Sequence, residues 1–112
     1  IEMCRGGSLS AIIDPAAIPE LPGLGDYITQ GCVPGGTQRN FDALRDGLPT
    51  LASRELAVLC DPQTSGGLLV AVSPSAVEDV QQLLTEQELP STVVGSFIAN
   101  ENGESAIHLQ AG

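Results

Sequence analysis

Two short words concentrate the groups that could act on a ligand. In Asp61-Pro62-Gln63-Thr64-Ser65-Gly66-Gly67, two hydroxyls, an amide and two glycines precede an apolar run. Glycines there let a ligand or another backbone approach closely, exposed N–H groups can face an anion, and Thr64 and Ser65 can donate hydrogen bonds. The competing reading is an Asx-turn on Asp61 with Pro62 at the next position, the glycines merely admitting tight packing. The word is not a P-loop, because its strand would follow the loop and no lysine is present. In Gly35-Gly36-Thr37-Gln38-Arg39-Asn40, a glycine pair precedes a predicted helix whose first turn carries a guanidinium and an amide, a setting for an anion or simply for a well-capped helix.

Other reactive types are poorly placed. Cys60 adjoins Asp61, and a neighbouring carboxylate opposes thiolate formation, so it reads as a small buried residue. His108 alternates with Ile107 and Leu109, which assigns it to the polar face of a strand, and no second histidine exists to share a metal. Cys4, Cys32 and Cys60 are odd in number and widely spaced, suggesting neither a disulfide framework nor a zinc site and fitting a reducing cytoplasm. The carboxylates show no spacing that singles out an acid and base pair.

The composition narrows the partners. The chain has 112 residues, 14 acidic and 4 basic, for a formal charge of -10. All four cations are arginines, so a Schiff-base lysine is excluded. Residues 55–112 hold eight acids and no base, which makes nucleic acid and anionic membranes poor partners. No apolar run approaches the ~20 residues of a membrane span. One domain is the ceiling, with roughly two thirds of the unfolded surface available for burial.

The elements that must position the two words follow from pattern. Ile1–Arg5 before Gly6-Gly7 reads as the last turn of a helix closed by glycine, and with it comes the expectation of a fragment. Leu9–Ile13 reads as a strand, Pro15–Ile18 as a helical turn, and Asp26–Gln30 as a short helix stopped by Gly31. Thr37 is placed as the cap of a helix over Gln38–Asp46, and Ser53–Leu59 forms another helix, its apolar face Leu56, Val58 and Leu59. Leu68–Val72 is the clearest strand, buried on both faces. A helix opened by Ser73-Pro74, or by Ser75 with Glu78, presents Val77, Val80, Leu83 and Leu84 on one face. Thr92–Ala99 and Ala106–Gln110 read as strands joined in a hairpin at Asn102-Gly103. The whole is one unit of mixed α and β layers.

The words Gly31-Cys32-Val33-Pro34-Gly35-Gly36-Thr37-Gln38-Arg39-Asn40-Phe41 and Leu59-Cys60-Asp61-Pro62-Gln63-Thr64-Ser65-Gly66-Gly67-Leu68-Leu69, with Ile18-Pro19-Glu20-Leu21-Pro22-Gly23 before them, closely resemble the C-terminal domain of the selenophosphate synthetase (selenide, water dikinase) family. The resemblance implies an α+β layered sandwich around a mixed β-sheet, the C-terminal domain type of the aminoimidazole ribonucleotide synthetase superfamily, truncated at its N-terminus. Residues 1–112 would be a single partial C-terminal domain of a two-domain synthetase. It also implies a parent that makes selenophosphate, AMP and orthophosphate from selenide, ATP and water with Mg2+, as a cytoplasmic homodimer.

In the family the catalytic cysteine or selenocysteine, the essential lysine and most metal-binding aspartates lie in an N-terminal domain, and a further aspartate lies in a Thr-Gly-Phe-Gly segment; none of these is in this sequence. The resemblance thus makes the chain non-catalytic, with no cofactor of its own and the N-terminal catalytic domain as partner. Gly35, Gly36, Thr37, Asn40, Gln63, Thr64, Ser65, Gly66 and Gly67 become candidate substrate-binding residues on loops facing the active site, a purely structural domain and a small anion-binding module being the alternatives. A sheet lacking its first strand leads to the further expectation of self-association, with Ile12, Ile13, Leu69 and Val94 contributing.

Overall fold

A computed structural model describes residues 1–103 and 105–111. The fold is α+β with a three-stranded mixed sheet. The chain divides into two compact units, Ile1–Pro62 with the chain from Val94 onward, and Gln63–Val93.

In the first unit, α1 (Glu2–Gly7) leads into β1 (Leu9–Ile13). The glycine pair does not close α1, contrary to the sequence expectation. Ser8 takes the left-handed conformation (φ 52°) and donates its N–H to the Cys4 carbonyl, which lets Gly6 and Gly7 remain helical. After β1, the Asp14 carboxylate accepts from the Ala16 N–H at 3.0 Å and caps a single 3-10 turn over Pro15–Ala17. Proline suits that first position, where its absent N–H has no partner to lose. Helix α2 (Leu24–Thr29) starts two residues earlier than expected, at a Gly23 with φ 85°, and Gly31 (φ 81°) follows its end as the pattern predicts.

Helix α3 spans Gly36–Leu44, two residues earlier at each end than the expected Gln38–Asp46, and passes into a 3-10 turn at Arg45–Gly47, whereas α4 spans Ser53–Leu59 as read from the sequence. Glu55 Oε2 accepts from the Ala52 N–H at 2.7 Å, satisfying one of the donors that every helix start leaves open. Beside half-buried Leu56, Val58 and Leu59, the residue α4 buries fully is Ala57.

The sheet departs from the expected hairpin. β2 (Gly95–Ala99) and β3 (Ile107–Leu109) do not pair with each other, because β1 lies between them, antiparallel to β2 and parallel to β3. The central strand β1 also carries the buried pair Ser10 and Ala11. Ala11 N–H donates to the Ala106 carbonyl at 2.8 Å, Gln110 N–H to the Ile13 carbonyl at 2.8 Å, and the Ser10 hydroxyl to the Ser105 carbonyl at 3.0 Å. The expected turn runs through residue 104, outside the described residues. Gly95 sets the β1–β2 approach, since a side chain there would overlap the Ile12 carbonyl oxygen.

The second unit contains a 3-10 turn at Pro74–Ala76 and α5 (Val77–Glu86). The half-buried stripe of α5 is Val77, Val80, Gln81 and Leu84; Leu83, expected on it, is exposed, and Gln81 instead donates its amide to the Ser91 carbonyl at 2.8 Å. The largest correction is Leu68–Val72. It is not a strand, and Leu68 is 94% exposed. A strand exists only where a neighbour completes its ladder, and no backbone group of this run meets a backbone partner among the described residues.

Candidate functional site: two glycine-containing turns

The first word is built on the start of α3. Gly35 occupies the N-cap and Gly36 the first helical position, so no side chain caps the helix, and the expectation that Thr37 does so is overturned. Thr37 sits one turn-position further in, 2% exposed, with its N–H donated to the Pro34 carbonyl at 3.1 Å. Its hydroxyl is enclosed and has no hydrogen-bond partner among the described residues, and its burial fixes the N-terminal turn against the unit's interior. Neither glycine has positive φ. Gly36 is needed for space: a Cβ there would lie 2.9 Å from Pro62 Cγ and 3.0 Å from Pro62 Cβ, closer than packed atoms come. The Asn40 amide donates to the Cys60 carbonyl at 3.0 Å.

The two words that carry the sequence signal therefore meet. Gly36 lies against the ring of Pro62 and Asn40 ties α3 to the last residue before Asp61, although 20 residues separate Asn40 from Cys60. Cys60 is 5% exposed, and burial pushes its thiol up, which disfavours the thiolate that a nucleophile requires. Cys4 is also buried and Cys32 exposed. Nearby, Gln38 donates to Asp42 Oδ1 at 3.0 Å and Arg45 donates to the same oxygen at 2.7 Å, which holds the exposed Asp42 carboxyl below the usual range. Arg39 is exposed, close enough to Gly36 that a Cβ there would lie 3.6 Å from Nη2.

The second word belongs to the other unit from Gln63 onward. Gln63, Thr64, Ser65, Gly66 and Gly67 are all exposed, and the Gln63 side-chain oxygen occupies the place a Gly66 Cβ would take. Gly66 thus serves a close side-chain approach rather than a left-handed turn. Gly67 faces open space.

Sequence reasoning missed several supports. Arg54 holds Glu20 through both carboxylate oxygens at 2.9 and 2.7 Å, tying α4 to the proline-rich loop, and a cavity of about 610 Å³ has Arg54, Glu20, Ile18, Val58 and Leu59 in its lining. Charge of opposite sign 34 residues apart gives no local pattern to find. His108 is half-buried and in register with Ile12. Among the described residues, no three His, Cys, Asp or Glu side chains converge as a metal site would require, and no helix is long and apolar enough to cross a membrane.

No known family profile matches the chain. Curated relatives do. The chain is 48% identical over 97 residues to the selenide, water dikinase of Shewanella sp. (strain ANA-3), a match covering 87% of this chain and 28% of that protein. It is 48% identical over 97 residues to the enzyme of that name from Shewanella baltica, with the same coverage. It is 41% identical over 108 residues to the selenide, water dikinase of Yersinia pestis, covering 96% of this chain and 31% of that protein. The chain thus spans about 30% of the length of the curated relatives it matches. Identity at this level over nearly the whole chain, together with a mixed α+β fold in which its two signature words are joined, identifies it as a segment of the selenide, water dikinase family.

Proposed function

We propose that the chain is the C-terminal domain portion of an enzyme that makes selenophosphate from selenide, ATP and water, releasing AMP and orthophosphate. It contributes no catalytic group. Its place is against an N-terminal catalytic domain in a cytoplasmic homodimer, where the turns at Gly35–Asn40 and Gln63–Gly67 help enclose substrate. The observation that carries this reading is the junction of the two signature words through Asn40 and Cys60 and through Gly36 and Pro62, in a chain whose relatives bear that enzyme name. Residues bound to each other in this way hold a loop in one shape, which a water-excluding wall requires.

Mg2+ belongs to the parent's reaction. The described residues do not fit it, since no three His, Cys, Asp or Glu side chains converge among them, and no step of the proposal is routed through it here.

A purely structural role is favoured at one position. The Asn40 amide is already committed to the Cys60 carbonyl, so Asn40 positions the turn rather than touching substrate. Thr64 and Ser65 are exposed and stand free to meet a ligand. In the full-length enzyme, Thr64→Ala is expected to lower turnover without lowering the melting temperature, whereas Asn40→Ala lowers the melting temperature. Thr64→Ala with unchanged kcat and KM for ATP and selenide would overturn the enclosing role.

A further inference from the structure

The step Asn102-Gly103 sets a side-chain amide beside the least hindered backbone nitrogen that can follow it, and the fold leaves that pair uncommitted. A two-residue type I′ hairpin turn would need positive φ at both residues and would hold them between paired strands. Of the two, Gly103 alone has positive φ (67°), and β1 separates β2 from β3. Both residues are exposed, and a Cβ on Gly103 would meet nothing within 4 Å. Neither the Asn102 amide nor the Gly103 N–H has a hydrogen-bond partner among the described residues.

The comparable groups of the chain are held in place. Asn40 lies inside α3, donates its amide to the Cys60 carbonyl at 3.0 Å and is followed by the bulky Phe41. Asn100 is half-buried, donates its N–H to the Ser8 carbonyl at 3.2 Å and is followed by Glu101. Asp46 also precedes a glycine, but Gly47 is buried in a 3-10 turn, where a Cβ would lie 3.1 Å from Ile1 Cδ1.

We propose that Asn102 is a site of spontaneous covalent modification, converting to aspartate and isoaspartate through a succinimide ring closed on Gly103. The Gly103 nitrogen, its proton taken by hydroxide, attacks the carbonyl carbon of the Asn102 side chain. A carbon–nitrogen bond forms there, and the side-chain nitrogen leaves as ammonia with a proton from water. Water then opens the ring. Breaking the bond to the former side-chain carbon gives aspartate, and breaking the bond to the former main-chain carbon gives isoaspartate, whose backbone is one carbon longer. The net change is one water gained and one ammonia lost, with nothing oxidised or reduced. The product places a new carboxylate next to Glu101 and adds one negative charge to the formal -10. This modification does not depend on the enzymatic reading.

The test is peptide mapping by mass spectrometry of the 112-residue chain during incubation in warm, mildly alkaline buffer, beside an unfolded synthetic peptide of residues 97–108. The expected result is a gain of about 1 Da confined to the fragment containing Asn102, the folded chain reacting within about tenfold of the rate of the peptide. A carboxyl methyltransferase specific for isoaspartate should label the same fragment. Gly103→Ala is expected to slow the reaction by about tenfold or more, because its methyl group hinders the attacking nitrogen. Asn102→Ser, which leaves Gly103 in place, is expected to abolish the mass gain. A folded chain more than about tenfold slower than the peptide overturns the proposal, since the fold would then be holding the step closed. So does modification that appears first at Asn40 or Asn100, that proceeds undiminished in Gly103→Ala, or that survives Asn102→Ser.

Discussion

At the scale of single residues, the joint between the two signature words makes the sharpest predictions. Gly36→Ala forces a methyl group against the rigid ring of Pro62, 2.9 Å away, and overpacking of this kind typically costs about 1–3 kcal/mol. Asn40→Ala removes one amide donor from the Cys60 carbonyl and is expected to cost about 0.5–1.5 kcal/mol. Urea denaturation monitored by circular dichroism checks both, and Gly35→Ala, beside open space, serves as the control expected to cost less than Gly36→Ala. Asp42 gives a pH prediction. Its folded carboxyl is held low, first by Gln38 and then by Arg45. The stability it contributes is therefore present above the unfolded carboxyl's pKa and is lost as pH falls through the folded one. Carboxyl-carbon NMR titration of Gln38→Ala should show the Asp42 midpoint rising toward the ordinary aspartate value.

At the scale of elements, the sheet depends on Gly95. A side chain there meets the Ile12 carbonyl oxygen, which is fixed by the ladder and cannot swing aside. Gly95→Ala is expected to separate the strands at that end, at a cost of about 1–3 kcal/mol, with faster amide exchange in β1 and β2 than in α4. Equal slowing or equal acceleration everywhere would show that the β1–β2 approach is not what Gly95 supports. The helices of the first unit are governed by local rules: α4 follows its sequence pattern residue for residue, and Asp14 with Pro15 starts a turn where its chemistry requires one. α3 runs two residues earlier at each end than the pattern implied, because Gly35 accepts the cap position and Thr37 is used for burial.

For the whole molecule, charge is the governing feature, with a formal net charge of -10. Four arginines and no lysine stand among 14 carboxylates, and the described residues bring no metal-binding cluster together. The chain alone is expected neither to hydrolyse ATP nor to form selenophosphate, and Mg2+-dependent release of AMP by the purified chain would contradict this. The buried residues among those described, Cys4, Ser10, Ala11, Thr37, Gly47, Ala57 and Cys60, all belong to the first unit.

Local chemistry made much of this protein legible from its sequence alone: β1, α4 and α5, the turn at Pro15, the stop at Gly31 and the family to which its two signature words point. These features depend on caps, prolines, glycines and short-period apolar patterns, all of which act within a few residues. Pairing and covering could be decided only in three dimensions. Asn102-Gly103 suggested a hairpin, but β1 lies between the two later strands and pairs with both. Leu68–Val72 has the composition of a buried strand, yet apolar composition cannot supply the neighbouring backbone that a strand requires. Likewise, both glycine pairs were visible as candidates, but that Gly36 makes room for Pro62 and Asn40 reaches Cys60 is a fact of packing between residues 20 or more apart in sequence. No local pattern encodes that distance.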